Sequence, residues 1–160
     1  LMQALKERDL LHSGLSITIN SVEVQSSQII FTFSITNKDQ SSLLIMDPIK
    51  TGLNLFHYFT NGLVIRSIPW TGSYITVKIP HQSPTPWNGW KIEWLSRLST
   101  NETKTFVINY PIESPLNPGE YSVSFEYPGL HYQVSKDDLV HGTGRIWLGS
   151  LEVTKNFVFE

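Results

Sequence analysis

The sequence predicts an all-β sandwich of about eight or nine strands, and three observations carry that prediction. Short runs in which apolar and polar side chains alternate with a two-residue period recur along the chain. Clusters of turn-forming residues separate them, among them Asn37-Lys38-Asp39-Gln40, Asn61-Gly62, Ser99-Thr100-Asn101-Glu102 and Asn117-Pro118-Gly119. Almost nothing beyond the first eleven residues has the period of a helix. At 160 residues with 40% hydrophobic content, the chain is long enough for one domain with a substantial core and short for two.

Residues 1–14 read as a leader or linker, and residues 15–160 as a single sandwich domain. Leu1, Leu5, Leu10 and Leu11 interleave with Lys6, Glu7 and Arg8, a pattern that fits a short helix or a frayed terminus. His12-Ser13-Gly14 breaks it. A first strand follows, with Leu15, Ile17 and Ile19 alternating before Asn20-Ser21 and then Val22 and Val24. In Gln28 to Thr36 an apolar face of Ile29, Phe31, Phe33 and Ile35 backs a second face of Ile30, Thr32, Ser34 and Thr36.

Leu43 to Met46 starts a third strand that Asp47-Pro48 ends, because the residue before a proline and the proline itself disrupt a ladder. Leu53 to Thr60 and Leu63 to Arg66 flank Asn61-Gly62, which predicts a hairpin with an exposed type I′ turn. Tyr74 to Ile79 is a further short strand. Pro80 to Trp90 carries three prolines and is expected to be a loop or an edge. Lys91 to Leu98 resumes alternation with Ile92, Trp94 and Leu98 inward, and Lys104 to Tyr110 places Phe106, Ile108 and Tyr110 on one side. From Tyr121 the chain alternates strictly, with Tyr121, Val123, Phe125 and Tyr127 on one face. Pro128 to Gly144 is a polar excursion, and Arg145 to Glu160 a closing strand or a bulged pair.

Composition narrows the function. Charged residues make up 16% of the chain against the ~25% of an average globular protein, and the net charge is -2. No basic surface is implied, so nucleic acid is not an expected partner. Zero cysteines exclude disulfides, thiolate metal sites and a cysteine nucleophile. No apolar run approaches the ~20 residues of a transmembrane helix. A signal peptide or a lipid anchor upstream of Leu1 is compatible with the sequence.

Motifs for chemistry are sparse. His12, His57, His81, His131 and His141 never fall at spacings that would aim two imidazoles at one metal, and His57 between Phe56 and Tyr58 reads as a hydrogen-bonded core histidine. Asp137-Asp138 lacks the acidic spacing of a calcium loop, no G-x-S-x-G elbow occurs, and His141-Gly142-Thr143-Gly144 lacks the lysine of a phosphate loop. The expectation is no catalytic residue, no metal and no cofactor. Asn101-Glu102-Thr103 fits a glycosylation acceptor, a pattern too common to weigh.

One concentration stands out: Trp70, Trp87, Trp90 and Trp94, with Tyr74 and His81 nearby, around the proline-rich segment. Such rings either cover an open end of the sandwich or stack on a sugar or a protein partner. The expected binding residues are Trp87, Asn88 and Trp90 in that loop, and Asn61 and Gly62 at the hairpin tip.

At Gly119-Glu120-Tyr121-Ser122-Val123 the chain resembles the G-x-Y-x-C corner of immunoglobulin-like domains. The resemblance implies that Tyr121 hydrogen-bonds back across its turn and that Val123 stands at the cysteine position. Phe31 or Phe33 would then take the partner position on the second strand. No tryptophan follows that strand at the family's usual distance, so the likeness is to the wide group of immunoglobulin-like sandwiches. The order of elements from Leu15 to Phe159 also resembles cysteine-free immunoglobulin-like domains of bacterial surface lipoproteins and of the amino-terminal regions of secreted peptidases. That resemblance implies an immunoglobulin-like antiparallel sandwich that binds or spaces without catalysing, in a secreted or cell-envelope protein, with a protein or glycan partner. A carbohydrate-binding module built on the loop tryptophans and a peptidase inhibitor or pro-region are the alternatives.

Overall fold

The computed structural model describes residues 14–57, 62–71, 74, 75, 77, 91–129, 140, 141 and 144–160. In chain order they form β1 (Leu15–Val24), β2 (Gln28–Asn37), β3 (Leu43–Met46), α1 (Pro48–Thr51), α2 (Leu53–Phe56), β4 (Leu63–Ile68) and β5 (Tyr74–Ile75). A 3-10 turn (Ile92–Trp94), β6 (Leu95–Leu98), β7 (Thr103–Pro111), β8 (Gly119–Pro128), β9 (Val140–His141), β10 (Gly144–Ile146) and β11 (Ser150–Phe159) complete them. The fold is an all-β sandwich. The strands beyond the eight or nine expected are pieces of two or three residues, too short to leave a period in the sequence.

Two sheets form the sandwich. One has the order β1-β2-β7 and the other β11-β8-β4-β5, every neighbouring pair antiparallel. The alternation of β2 puts Ile29, Phe31, Phe33 and Ile35 fully inside. Opposite them β8 buries Tyr121, Val123, Phe125 and Tyr127. The rings meet across the interior, Phe125 lying 4.9 Å from Phe31 and 4.7 Å from Phe33 between centroids. Phe31 and Phe33 thus both meet Phe125, and Val123 is buried on the same face of β8. Burying these large rings is the main source of stability here, at about 25 cal/mol per Å² of apolar surface.

In β1 the apolar residues change phase between Ile19 and Val22, and the register shifts between Ile19 and Ser21, leaving Asn20 as an extra, exposed residue. The bulge keeps Leu15, Ile17 and Ile19 on the same side as Val22 and Val24. No such shift occurs in β11, which pairs continuously with β8 from Ser150 to Phe159, while Arg145 and Ile146 at the start of the expected closing segment belong to β10 and pair with β3, so that segment is two strands in different sheets.

A small sheet of order β6-β3-β10-β9 closes one end of the sandwich. Its β3 pairs antiparallel with β6 and parallel with β10. Tyr127, at the far end of β8, joins this sheet to the core. Its hydroxyl donates to the Met46 carbonyl, and its ring lies 5.8 Å from Phe56 and 5.9 Å from Trp147.

Two expected strands are corrected. Leu53 to Phe56 is helical where a strand was expected, and Tyr58 to Asn61 lie outside the described residues. Asp47 caps α1 by accepting from the Ile49 and Lys50 amides, Pro48 sits at the first helical position, and the Phe56 amide then donates to the Gly52 carbonyl at 3.0 Å. The helical turn buries Phe56, and His57 at its C-terminal cap is buried beside it. Ile92 to Trp94 is a 3-10 turn, which leaves Ile92 exposed and turns Trp94 inward.

Candidate functional site

An open cleft of about 300 Å³ lies at the end of the sandwich away from the small sheet. The loop between β7 and β8 supplies Glu113, Ser114, Pro115, Leu116 and Asn117, and Ile75 of β5 and Tyr121 of β8 complete the lining. The Tyr121 hydroxyl donates to the Asn117 carbonyl at 2.5 Å, pinning the loop to the strand it feeds. The Tyr121 ring stacks on Phe157 at 5.6 Å. With its hydroxyl taken and its ring covered, Tyr121 shapes the cleft and leaves recognition to Glu113, Ser114 and Asn117, which are exposed. Val77 bridges Ile112 at the edge of the same region, and it is the last described residue before Lys91. Among the described residues the lining has one carboxylate and no basic side chain, so these groups can hold a ligand by hydrogen bonds and contact.

A second, smaller depression of about 120 Å³ lies on the outer face of the β8 sheet, lined by Gly62, Val64, Ser124, Phe125, Glu126 and Glu152. Glu126 and Glu152 stand directly opposite each other in the β8–β11 register, and Ser150 Oγ donates to Glu126 Oε1 at 3.3 Å. Among the described residues no three metal-ligating side chains gather anywhere.

The polar groups best suited to chemistry are inside. Asp47 is buried and accepts from Ser96 Oγ at 2.5 Å, with Lys104 Nζ at 3.6 Å. Lys50 Nζ donates to the Leu95 carbonyl at 3.0 Å. This cluster ties α1, β6 and β7 to the end of β3. Burial, and after it the negative charge of Asp47, pushes the Tyr127 hydroxyl well above the usual phenol range. On the other side of α2, the Tyr110 hydroxyl and His57 Nε2 lie 3.0 Å apart, both residues buried, and burial pushes the Tyr110 phenol up strongly. At the surface of the small sheet, Arg145 donates to Asp39 Oδ2 at 2.9 Å, and that hydrogen bond holds the Asp39 carboxyl below its ordinary value.

Of the residues expected to bind, Gly62 alone lies among those described. Gly62 is buried, and a Cβ built on it would sit 2.0 Å from His57 Nδ1. Asn61, Trp87, Asn88 and Trp90 lie outside the described residues, as do His81 and Asp137-Asp138. Of the expected tryptophan cluster, Trp94 is buried and Trp70 is 56% exposed. Sequence reasoning missed the cleft. Its one legible signal was the Tyr121 corner.

The sequence matches no family model and no curated protein. Among solved structures it is similar to the yjhA protein from Bacillus subtilis, at 13% identity and a TM-score of 0.38, covering 79% of this chain and 82% of that one. It is also similar to part of a beta-glucosidase from Kluyveromyces marxianus in complex with glucose, at 14% identity and a TM-score of 0.35, covering 91% of this chain and 14% of that chain.

Proposed function

We propose that this chain is a non-catalytic, immunoglobulin-like binding domain of a secreted or envelope-attached protein, and that it meets its partner at the Tyr121 end of the sandwich. The observation that carries the reading is where the polar groups are. Asp47 with Ser96 and Lys104, and His57 with Tyr110, are spent joining one element to another, while the cleft beside the β7–β8 loop offers exposed hydrogen-bonding groups on a fixed frame. Two features support the immunoglobulin-like assignment. The sheets β1-β2-β7 and β11-β8-β4-β5 have the neighbour order of strands A-B-E and G-F-C-C′, and Tyr121 makes the backward hydrogen bond of a tyrosine corner.

A protein partner is the favoured class. A glycan is the second reading, because the segment that follows Val77 contains Trp87 and Trp90, and flat rings of that kind stack on sugars.

The test is a binding screen of the intact chain against glycans and against a peptidase panel, run beside Glu113→Ala/Asn117→Ala and Trp87→Ala/Trp90→Ala double variants. The expected result is a ligand lost in one double variant with the circular dichroism unchanged. Substrate turnover that Ser96→Ala or Tyr110→Phe abolishes would overturn the non-catalytic reading.

A further inference from the structure

The cleft beside the β7–β8 loop holds polar side chains that the fold has not used. Among the described residues, the side chains of Glu113, Ser114 and Asn117 make no hydrogen bond or ion pair, and all three residues are exposed. Their chemistry leans one way. The Glu113 carboxylate only accepts, Ser114 and Asn117 can accept as well as donate, and Pro115 between them has no amide to offer. No basic side chain lines the cleft among the described residues, and Arg66 of β4, opposite Ser122, stands on the other face of the sheet from Tyr121. The negative charge is therefore unanswered. Beside it lie apolar surfaces, with Ile75 half-buried, Pro115 exposed and Leu116 buried.

We propose that the cleft receives a lysine or arginine side chain of a protein partner, an inference that rests on the binding-domain reading above. Charge sets the sign of the occupant, and the rest of the lining sets its shape. At about 300 Å³ the cleft is at the small end for a ligand site and suits one long side chain. Lysine and arginine bury their methylenes while keeping the charged head in water, which an open cleft allows. The stem lies against Ile75, Pro115 and Leu116, and the head donates to Glu113, with Ser114 and Asn117 as further acceptors. Other occupants fit less well. A phosphate or a carboxylate would face Glu113 with no cation of the lining beside it. A bare calcium ion takes about six oxygen ligands or more, and the lining has one carboxylate among the described residues. A sugar ring would need an open aromatic face, and the Tyr121 ring is stacked on Phe157.

The test is selection of a random peptide library displayed on phage against the intact chain, with each selected peptide then measured against Glu113→Gln and against Glu113→Ala/Asn117→Ala. Glu113 is exposed and unpaired, so Glu113→Gln should leave the circular dichroism unchanged. The expected peptides share a lysine or arginine at one position and bind Glu113→Gln about five- to tenfold more weakly, the weight of one charge-assisted hydrogen bond in an open site. That difference should vanish when the shared residue is replaced by norleucine, which keeps the stem and removes the charge. Peptides lost in Glu113→Ala/Asn117→Ala but indifferent to Glu113→Gln, or sharing no basic residue, overturn this inference and leave a binding site at the Tyr121 end. Peptides that bind both variants as tightly as the wild type overturn the inference and the placing of the site together. A library that yields no binder also overturns the inference, and the screen of glycans and peptidases then decides the binding-domain reading on its own.

Discussion

The Tyr110 hydroxyl meets His57 Nε2 at 3.0 Å inside the sandwich, and through that contact the helical turn α2 is fastened to β7. Their rings lie 5.4 Å apart, and Phe56 and Phe31 pack around them. Tyr110→Phe keeps the ring and removes the hydroxyl. It should destabilise the fold by about 1–3 kcal/mol, the cost of leaving a buried partner unsatisfied, as read by urea unfolding with an unchanged slope.

Burial raises the phenols of both Tyr110 and Tyr127 above their unfolded value near 10. Above that pH the unfolded chain loses protons that the fold retains, so stability falls as pH rises, having been fully present below it. Two of the six tyrosines should therefore ionise only as the protein unfolds. Tyrosinate absorbance followed with circular dichroism through an alkaline titration should show a late step coincident with loss of structure. A smooth titration of all six in a folded protein would contradict the burial.

Gly62 has φ +64, and its missing Cβ leaves room for the His57 ring. Gly62→Ala should cost about 1–3 kcal/mol, since both the left-handed backbone and the contact at 2.0 Å penalise a side chain there. The measurement is the thermal midpoint, and the near-ultraviolet circular dichroism should change with it because the His57–Tyr110 contact is displaced.

Asp47 joins three things: the start of α1, Ser96 of β6 and Lys104 of β7. Ser96→Ala should cost about 1–3 kcal/mol by leaving Asp47 Oδ2 short of its buried donor. Asp47→Ala should cost more, adding a lost helix cap of about 1 kcal/mol. Denaturant midpoints of the two variants should keep that order.

On the acid side, the Arg145 hydrogen bond lowers the Asp39 carboxyl. The stability it contributes is present above the unfolded carboxyl value and is lost as pH falls through the folded one. Asp39→Asn should flatten the acid limb of the stability–pH curve and leave the alkaline limb unchanged.

The sandwich strands were legible because their partners are of one kind. β2, β7 and β8 each bury one face against an opposite sheet, and that leaves the two-residue period in Ile29 to Ile35, Phe106 to Tyr110 and Tyr121 to Tyr127. The failures occur where a residue's surroundings change along the chain. Leu53 to Phe56 has the composition of a strand, yet it turns into a helix directly after Gly52, whose carbonyl accepts from the Phe56 amide. β3 buries all four residues between β6 and β10, so it has no polar face to alternate. The parallel pairing of Leu43 and Leu44 with Arg145 and Ile146 joins residues about a hundred positions apart and leaves no local trace. The cleft was illegible for the same reason. Ile75 and the Glu113–Asn117 loop form it only after β5 and β8 have been placed in one sheet.

The extra residue in β1 makes the two halves of that strand separable. Leu15 to Ile19 and Val22 to Val24 each obey the pleat, and Asn20 lets one half run out of step with the other while both face inward. A chain shortened by Asn20 would keep Ile19 opposite Phe33 and Ser21 opposite Thr32, and would read Leu15, Ile17, Ile19, Val22 and Val24 as one unbroken alternation with Glu23 still facing water. Asn20 is thus a residue that the pairing of β1 does not require, and what its loss would remove is the bend of the bulge.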